Sequence, residues 1–285
     1  MSVIIDGKAV SVKVKDEVKE RVLAYNARTG KDVGLAVIMV GDNPASEIYV
    51  RNKIRACEYT GIKSYSYKFE DISEADLINL VHELNANPDI HGILVQLPLP
   101  KHINEDKVLS AISASKDVDG FSAENIGNLA LGKPGFRSCT PSGVMRLFEE
   151  YGIDLTGKSA VVIGRSNIVG KPLSLMLLEK NATVTICHSR TQGLKDVVKN
   201  ADVVCACLGR AKFVTEDMVK DGAVVIDVGI NKLDGKTVGD VDFENVEKKA
   251  AAITPVPGGV GPMTIAILMQ NTVISAEIAE NNANN

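Results

Sequence analysis

The chain has 285 residues, of which 45% are hydrophobic, and a formal net charge of -4. This length allows two domains of ordinary size, each with its own apolar core. No long basic or acidic run interrupts the sequence, so we expect neither nucleic acid nor an anionic membrane surface as a partner. Small anionic ligands remain compatible with this charge.

Five cysteines are scattered along the chain, and two of them share one apolar run as Cys205-x-Cys207. No second cysteine pair or histidine cluster accompanies them, so we expect reduced core cysteines and no metal site. The amino terminus lacks a basic segment before a long apolar run, and no apolar run approaches the ~18 residues that span a membrane. We therefore expect a cytoplasmic protein without membrane contact.

The first half of the chain alternates between helix and strand patterns. Valines at four-residue spacing predict an amphipathic helix over about residues 8–26 that packs on a sheet. Strands are predicted over residues 34–40, 62–69 and 92–97, and Asn43 and Ser73 can cap the helices between them. This alternation predicts a small parallel sheet. Ligands of such sheets gather beyond the carboxyl ends of the strands, where Gln96 lies.

A loop separates this region from a second α/β region. A short helix is predicted from about Asn104, and an irregular stretch rich in Gly and Asn follows Lys116. Thr140 can cap the next helix, which Gly152 ends, and we place the domain boundary near Thr140.

The second region repeats the alternation. Strands over residues 159–163, 183–187, 202–207 and 223–228, with helices between them and a hairpin turn at Asp234 and Gly235, predict a Rossmann-like domain. A final helix extends to about Glu280, and we expect the Asn-rich tail after it to be disordered.

The turn after the strand over residues 159–163 has the features of a nucleotide-binding turn. Gly164 permits the tight turn, and the helix that follows presents free N–H groups and a positive dipole end to a phosphate. Ser166 stands where the G-x-G-x-x-G pattern has its second glycine, and Gly170 falls one place late. An ordinary strand–helix turn without ligand is therefore the alternative.

The end of the next strand indicates which nucleotide would bind. About twenty residues beyond the glycine turn, NAD-binding proteins usually place a carboxylate for the ribose hydroxyls. Here the chain reads His188-Ser189-Arg190-Thr191, without a carboxylate. A hydroxyl and cations suit a 2′-phosphate, and Arg165 is a second candidate donor. We therefore infer NADP as the cofactor, with NAD as the alternative.

Several polar residues could carry chemistry near this cofactor. Tyr49 and Lys53 lie four apart on one predicted helix and so share a face. A lysine moved out of bulk water becomes useful for proton transfer near neutral pH. Each candidate also has an ordinary alternative: a surface helix pair for these two, a strand end for Gln96, an Asp-Gly turn for Asp119, and a hinge for the glycine run 257–261.

Five motifs occur in order along the chain: Tyr49-Val-Arg-Asn-Lys53, Val95-Gln96-Leu97-Pro98-Leu-Pro, Lys116-Asp-Val-Asp119-Gly, Gly164-Arg-Ser-Asn-Ile-Val-Gly-Lys-Pro and Thr254-Pro-Val-Pro-Gly-Gly-Val-Gly-Pro-Met-Thr. Together they resemble the methylenetetrahydrofolate dehydrogenase/cyclohydrolase family over nearly the whole chain. In that family the turn takes the form with Ser166, so this residue is no departure from it.

The resemblance implies an enzyme with two activities in one cleft. The first oxidises 5,10-methylenetetrahydrofolate to the 5,10-methenyl form with NADP, and the second hydrolyses the product to 10-formyltetrahydrofolate. Lys53 is implied as the general acid/base and Gln96 as its hydrogen-bond partner. Tyr49 would stack on or orient the folate, and Asp119 would pair with the amino-pyrimidinone edge of the pterin.

The remaining site residues follow from the same resemblance. The folate site would also include Val95, Leu97, Pro257, Gly258, Gly259, Val260 and Gly261. The NADP site would include Gly164, Arg165, Ser166, Ser189 and Ile230. No metal is implied.

The implied fold is α/β, with two α/β domains and the active-site cleft between them. Residues 1–139 with the C-terminal helix 264–285 would form the folate-binding catalytic domain, and residues 140–263 the Rossmann-like NADP-binding domain. Two Rossmann domains would pair into a homodimer. The alternatives are a dehydrogenase without the hydrolytic step and a non-catalytic nucleotide-binding regulator; Lys53 and Gln96 argue against both.

Overall fold

The computed structural model describes residues 2–283, apart from the side chain of Ala45. The chain divides into two compact units. Val12–Cys139 and the chain from Ile265 onward form the first, which we call the three-strand unit after its sheet. The chain up to Ser11 and Thr140–Thr264 form the second, the six-strand unit.

The helices and strands follow in this order: β1 (Val3–Ile4), α1 (Gly7–Thr29), β2 (Gly34–Val40), α2 (Pro44–Thr60), β3 (Lys63–Phe69), α3 (Glu74–Ala86), β4 (Gly92–Val95), α4 (Glu105–Ala111), α5 (Ala123–Ala130), α6 (Cys139–Glu150), β5 (Ser159–Ile163), α7 (Gly170–Glu179), β6 (Thr183–Cys187), α8 (Leu194–Lys199), β7 (Val203–Ala206), a 3-10 turn (Glu216–Met218), β8 (Val224–Asp227), β9 (Asn231–Leu233), β10 (Lys236–Val238), α9 (Phe243–Val246), β11 (Ala252–Ile253) and α10 (Val260–Ala283).

The three-strand unit is built on a parallel sheet of order β3-β2-β4. All seven residues of the central strand β2 are buried, because both faces of the sheet are covered. Side-chain oxygens of Asn43, Ser73 and Asn104 cap the starts of α2, α3 and α4 by accepting backbone N–H groups. These caps confirm the three predicted helix starts.

The six-strand unit has a parallel sheet of order β1-β11-β8-β7-β5-β6. From β5 the chain continues into β6 on one side and then crosses to β7 on the other, so a topological switch point lies between β5 and β7. The predicted hairpin is confirmed: β9 and β10 pair antiparallel around Asp234 and Gly235, which both have positive φ.

Four sequence predictions were wrong in part. The stretch after Lys116 contains helix α5, whose first turn Ser122 caps by accepting from Asn125 N–H. Helix α6 begins at Cys139, one residue before the predicted cap, and the Thr140 hydroxyl instead bonds that of Thr264 at 2.9 Å.

The two ends of the chain also differ from prediction. Strand β1 pairs with β11, which places the first residues with the six-strand sheet rather than with the first domain. Helix α10 continues to Ala283 because each further residue adds a hydrogen bond to a helix already formed; the last two residues lie outside the described range. Among residues 2–283, no helix combines the length and apolar character that crossing a lipid bilayer requires.

Candidate active site

Lys53 and Gln96 form the centre of the candidate site in the three-strand unit. Lys53 lies on α2, and Gln96 directly follows β4, so it stands at the carboxyl edge of the sheet. The Lys53 ammonium donates a hydrogen bond to Gln96 Oε1 at 3.0 Å. The amide nitrogen of Gln96 in turn donates to the Leu97 carbonyl at 2.7 Å, which fixes the direction of the accepting oxygen.

Asp119 lies within the electrostatic reach of this lysine. Desolvation by the surrounding protein raises the pKa of the Asp119 carboxyl, while the positive charge of Lys53 opposes the rise. The negative charge of Asp117 raises it further. Asp119 as a whole residue is only partly buried. The candidate site therefore brings the Lys53 ammonium and the Asp119 carboxyl into electrostatic contact.

The turn that carries Asp119 is held by a residue that we had not predicted. Asp117 is 3% exposed, and its carboxylate accepts N–H groups from Gly120 at 3.1 Å, Phe121 at 3.2 Å and Ser122 at 2.7 Å. The side-chain amide of Asn125 adds a fourth donor at 2.9 Å. An aspartate two residues before the candidate was visible in the motif, but the loops that it joins were not.

The other folate-site candidates of this unit lie nearby on the same elements. Tyr49 is on α2, one turn before Lys53, and 40% of its surface is exposed. Val95 is the buried last residue of β4, and Leu97 is partly buried against the core beneath it. Tyr49 is thus open to solvent, while Val95 and Leu97 belong to the apolar core on either side of Gln96 in sequence.

The nucleotide turn in the six-strand unit requires glycine at its first position. Gly164 has φ +139°, and a Cβ added there would lie 2.3 Å from the Cys207 carbonyl oxygen. Gly170 begins α7 under a similar restriction, because its Cβ would lie 2.4 Å from the Gly164 oxygen. These two contacts bring the turn after β5 against both the start of α7 and the end of β7.

Ser166 changes which donors the turn can offer. Its hydroxyl accepts the N–H groups of Val169 and Gly170 at 3.2 and 3.3 Å, and its carbonyl accepts that of Lys171 at 3.1 Å. The predicted free N–H groups at the start of the helix are therefore already engaged. Within residues 2–283, no hydrogen bond engages the N–H groups of Arg165, Ser166 and Asn167, so these donors remain available to a phosphate.

Exposed cations and a hydroxyl lie in this turn and after the neighbouring strand β6. The Arg165, Ser189 and Arg190 side chains are all exposed. The turn at residues 188–191, after β6, is held by its own hydrogen bonds. His188 N–H donates to the Thr191 hydroxyl at 2.8 Å, and Arg190 N–H donates to the His188 ring at 3.1 Å. The glycine cradle, the unengaged N–H groups and the exposed cations fit a dinucleotide phosphate chemically.

The glycine motif before α10 belongs to the six-strand unit. Its Gly258 carbonyl accepts the Lys8 N–H at 2.8 Å, and a Cβ on Gly259 would lie 2.6 Å from the Pro255 oxygen. A Cβ on Gly261 would come within 3.6 Å of Ile230 Cδ1, and Ile230 is half exposed. The motif therefore approaches a candidate cofactor residue. Pro257 follows a cis peptide bond, and Val260 is the buried first residue of α10.

Comparisons with known proteins agree with this arrangement. The family model for the catalytic domain of tetrahydrofolate dehydrogenase/cyclohydrolase matches residues 5–119, and the model for its NAD(P)-binding domain matches residues 138–280. The chain is 57% identical to the Bifunctional protein FolD of Agathobacter rectalis over 275 residues. The aligned region covers 96% of this chain and 98% of that protein.

Solved structures show the same relationship. The bifunctional enzyme FolD of Campylobacter jejuni, a methylenetetrahydrofolate dehydrogenase/cyclohydrolase, is 53% identical, with a TM-score of 0.96 over 98% of this chain and 99% of that one. The Trypanosoma brucei enzyme, solved with NADP cofactor and an inhibitor, is 37% identical, with a TM-score of 0.93 over 98% of both chains. The chain therefore belongs to the tetrahydrofolate dehydrogenase/cyclohydrolase family.

Proposed function

We propose that this chain oxidises 5,10-methylenetetrahydrofolate with NADP and hydrolyses the resulting 5,10-methenyl compound to 10-formyltetrahydrofolate. The observation that carries the proposal is the hydrogen bond between the Lys53 ammonium and Gln96 Oε1, with Asp119 in electrostatic contact. A dehydrogenase alone, or a nucleotide-binding regulator, has no need of a lysine held in this way.

The oxidation requires mainly binding and orientation. NADP, when bound, accepts the hydride from the folate methylene. The six-strand unit would hold NADP through Arg165, Ser166 and Ser189, with Ile230 beside the glycine motif. In the three-strand unit, Tyr49 would lie against the folate, and Asp119 would accept two N–H groups from the pterin edge. Both units thus position their ligands without reacting covalently.

The hydrolysis requires a proton to move. A water oxygen bonds to the methenyl carbon and loses one proton; as one carbon–nitrogen bond of the ring breaks, that oxygen loses its second proton to become the formyl oxygen, the departing nitrogen takes up one proton, and one proton is released to solvent. Lys53 would serve as the general acid/base for these transfers, worth about 10²–10⁴-fold in rate. Gln96 accepts one of the three ammonium hydrogens and so anchors the Lys53 side chain, which leaves up to two hydrogens to meet a bound folate.

An absorbance assay tests the proposal. Purified chain is mixed with 5,10-methylenetetrahydrofolate and either NADP or NAD, and reduced cofactor and methenyl-folate are followed separately. Reduced NADP should form while methenyl-folate does not accumulate, and added methenyl-folate should decay faster than background. Cofactor reduction with persistent methenyl-folate would leave only the dehydrogenase, and no reduction with either cofactor would overturn the enzyme.

We also propose a homodimer formed through the six-strand units. Strand β6 stands at the end of the strand order, and exposed edge strands pair readily with other chains. Ile186 on β6 is 42% exposed and Leu178 on α7 is 59% exposed, which gives this edge an apolar surface. Light scattering should therefore find a dimer that Ile186→Lys converts to monomer, whereas Leu23→Lys, at an exposed apolar position on α1, leaves it intact. The cytoplasmic location stays a prediction from the sequence.

A further inference from the structure

Asp240 occupies a position in the six-strand unit that neither activity explains. It lies fully buried, with 0% of its surface exposed. Oδ2 accepts the N–H groups of Leu208 at 2.6 Å and Gly209 at 3.0 Å. Oδ1 accepts the Arg210 N–H at 2.7 Å and the side-chain amide of Asn231 at 2.9 Å. Four donors converge on one carboxylate, which is the number that a buried ionised carboxylate needs for full satisfaction.

These donors come from two separate turns at the carboxyl edge of the sheet. Leu208, Gly209 and Arg210 follow β7, and Asn231 lies beyond the end of β8. The carboxylate also fills the space where Gly229 would have a side chain, since a Cβ there would lie 2.1 Å from Asp240 Oδ1. Asp240 thus holds the residues on both sides of Ile230.

The turn after β7 borders the place where a nucleotide binds in such a sheet. Strands β5 and β7 flank the switch point, and ligands of open α/β sheets bind outside the carboxyl ends of the strands there. The Cys207 carbonyl, directly before this turn, is the group that forces glycine at position 164. A shift of the turn at 208–210 would therefore also move the Cys207 carbonyl, against which the turn at Gly164 packs.

We propose that Asp240 is a positioning residue for the cofactor, whose carboxylate fixes the turn at 208–210 and the segment 229–231 in the form that binds NADP. The proposal rests on the proposed function, because it assigns NADP to this edge. Asp240 does not touch the cofactor in this role; it acts through backbone groups that it holds.

The variant Asp240→Asn tests this role with almost no change in shape. Each carboxylate oxygen serves two N–H donors, so replacing either one by an amide NH2 sets donors against donors. Buried donors left unsatisfied in this way should raise the KM and the Kd for NADP about 10- to 100-fold. The kcat at saturating NADP should change much less, because the cofactor, once bound, restores the turn.

Asp117→Asn is the matched control, since Asp117 holds a turn of the three-strand unit in the same manner. It should weaken folate binding and the hydrolysis of added methenyl-folate, with NADP affinity within about twofold of wild type. Asp240→Asn should do the reverse. A purely structural role for Asp240 would lower thermal stability and leave the Kd for NADP unchanged at a temperature where the protein is folded, and this result would overturn the proposal.

If Asp240→Asn does not fold, Asn231→Ala provides the milder change, because the carboxylate keeps its three backbone donors. A rise of a few-fold in the Kd for NADP, measured by calorimetry without folate, is expected; no rise would also overturn the proposal. The oxidation of 5,10-methylenetetrahydrofolate by the wild-type protein is measured separately. Wild type that binds NADP without oxidising the folate would contradict only the proposed function, whereas wild type that fails to bind NADP would contradict both.

Discussion

The two units hold a loop at the carboxyl edge of a parallel sheet in the same way and use it differently. In each, a buried aspartate accepts three consecutive backbone N–H groups and one asparagine amide: Asp117 in the three-strand unit and Asp240 in the six-strand unit. The first loop carries Asp119 beside Lys53, where desolvation changes proton affinity. The second borders the turn at Gly164, whose free backbone N–H groups and exposed Arg165 suit a phosphate.

This difference separates two kinds of chemistry. A proton-transfer site benefits from charges removed from water, because their proton affinities then respond to each other. A site for an anionic cofactor benefits from donors that stay accessible and fully charged at every physiological pH, as arginine does. If the separation is real, single substitutions should damage one function and spare the other.

The largest effect is expected for Lys53→Met. Removing the general acid/base should slow the hydrolysis of methenyl-folate by about 10²–10⁴-fold, while the Kd for NADP stays unchanged. The measurement is the decay of methenyl-folate absorbance, with NADP binding by calorimetry. Lys63→Met, at an exposed lysine on β3, should behave as wild type. Unchanged hydrolysis in Lys53→Met would remove this lysine from the mechanism, and a loss of NADP binding would show that the two sites are not separable.

Gly164→Ala should damage the other unit. The added Cβ would meet the Cys207 carbonyl at 2.3 Å in a backbone with φ +139°, so we expect a loss of about 2–4 kcal/mol in the free energy of unfolding, from strain and overpacking together, and weak NADP binding. Denaturant unfolding and NADP titration measure both. Gly157→Ala is the control: φ is +72°, but nothing lies within 4 Å, so only about 1–2 kcal/mol should be lost. Equal losses in the two variants would refute the steric argument.

Arg165→Ala should have a smaller and more selective effect. The exposed guanidinium can bond a 2′-phosphate, and a hydrogen bond to a charged group contributes about 1.5–3 kcal/mol, so the KM for NADP should rise about 10- to 100-fold. NAD lacks that phosphate, so its KM should not change. The comparison variant is Arg190→Ala, which replaces the exposed arginine that follows β6. Equal effects of Arg165→Ala on both cofactors would place the 2′-phosphate elsewhere.

The sequence was most informative about elements whose ends carry local signals. The starts of α2 and α3 were predicted from their caps because a cap is a contact within four residues, and the start of α4 was predicted at the residue that caps it. Strand β1 could not be predicted, because it is two residues long and its partner β11 lies some 250 positions away along the chain. Helix α5 was missed because its Gly and Asn content outweighed the cap at Ser122.

The candidate site shows the same contrast between local signals and contacts that are distant in the sequence. The Lys53–Gln96 hydrogen bond joins residues 43 positions apart, and only the resemblance to a family indicated it. Asp117 and Asp240 were not predicted as organising residues, since a buried carboxylate that accepts backbone N–H groups has no periodicity of its own. For Asp240 the turn that it holds also lies about 30 residues away along the chain. The sequence showed only that Ser166 stands at the second glycine position of the fingerprint, and not that its hydroxyl takes donors that the turn would otherwise have offered.

The smallest effect concerns the response of the two units to pH. Burial raises the pKa of Asp227, which contacts Asp240 N–H in the six-strand unit, to about 7, although three backbone donors oppose the rise. The folded protein then keeps a proton that the unfolded chain has released, so this group's stabilisation is complete below the unfolded pKa and is lost as pH rises through about 7. Between pH 6 and 7 the loss should be about 1 kcal/mol.

His91 in the three-strand unit has the opposite sign. Burial lowers its pKa, so the unfolded chain binds the extra proton and stability increases as pH rises through this range. In wild type, the contributions of Asp227 and His91 to the pH dependence of stability overlap. Asp227→Asn separates them because it removes only the contribution of Asp227. Unfolding free energies measured by denaturant between pH 5 and 8 should therefore fall less steeply, or rise, in Asp227→Asn. Parallel pH profiles for the two proteins would mean that Asp227 is already ionised at pH 6, and that its three N–H donors outweigh its burial.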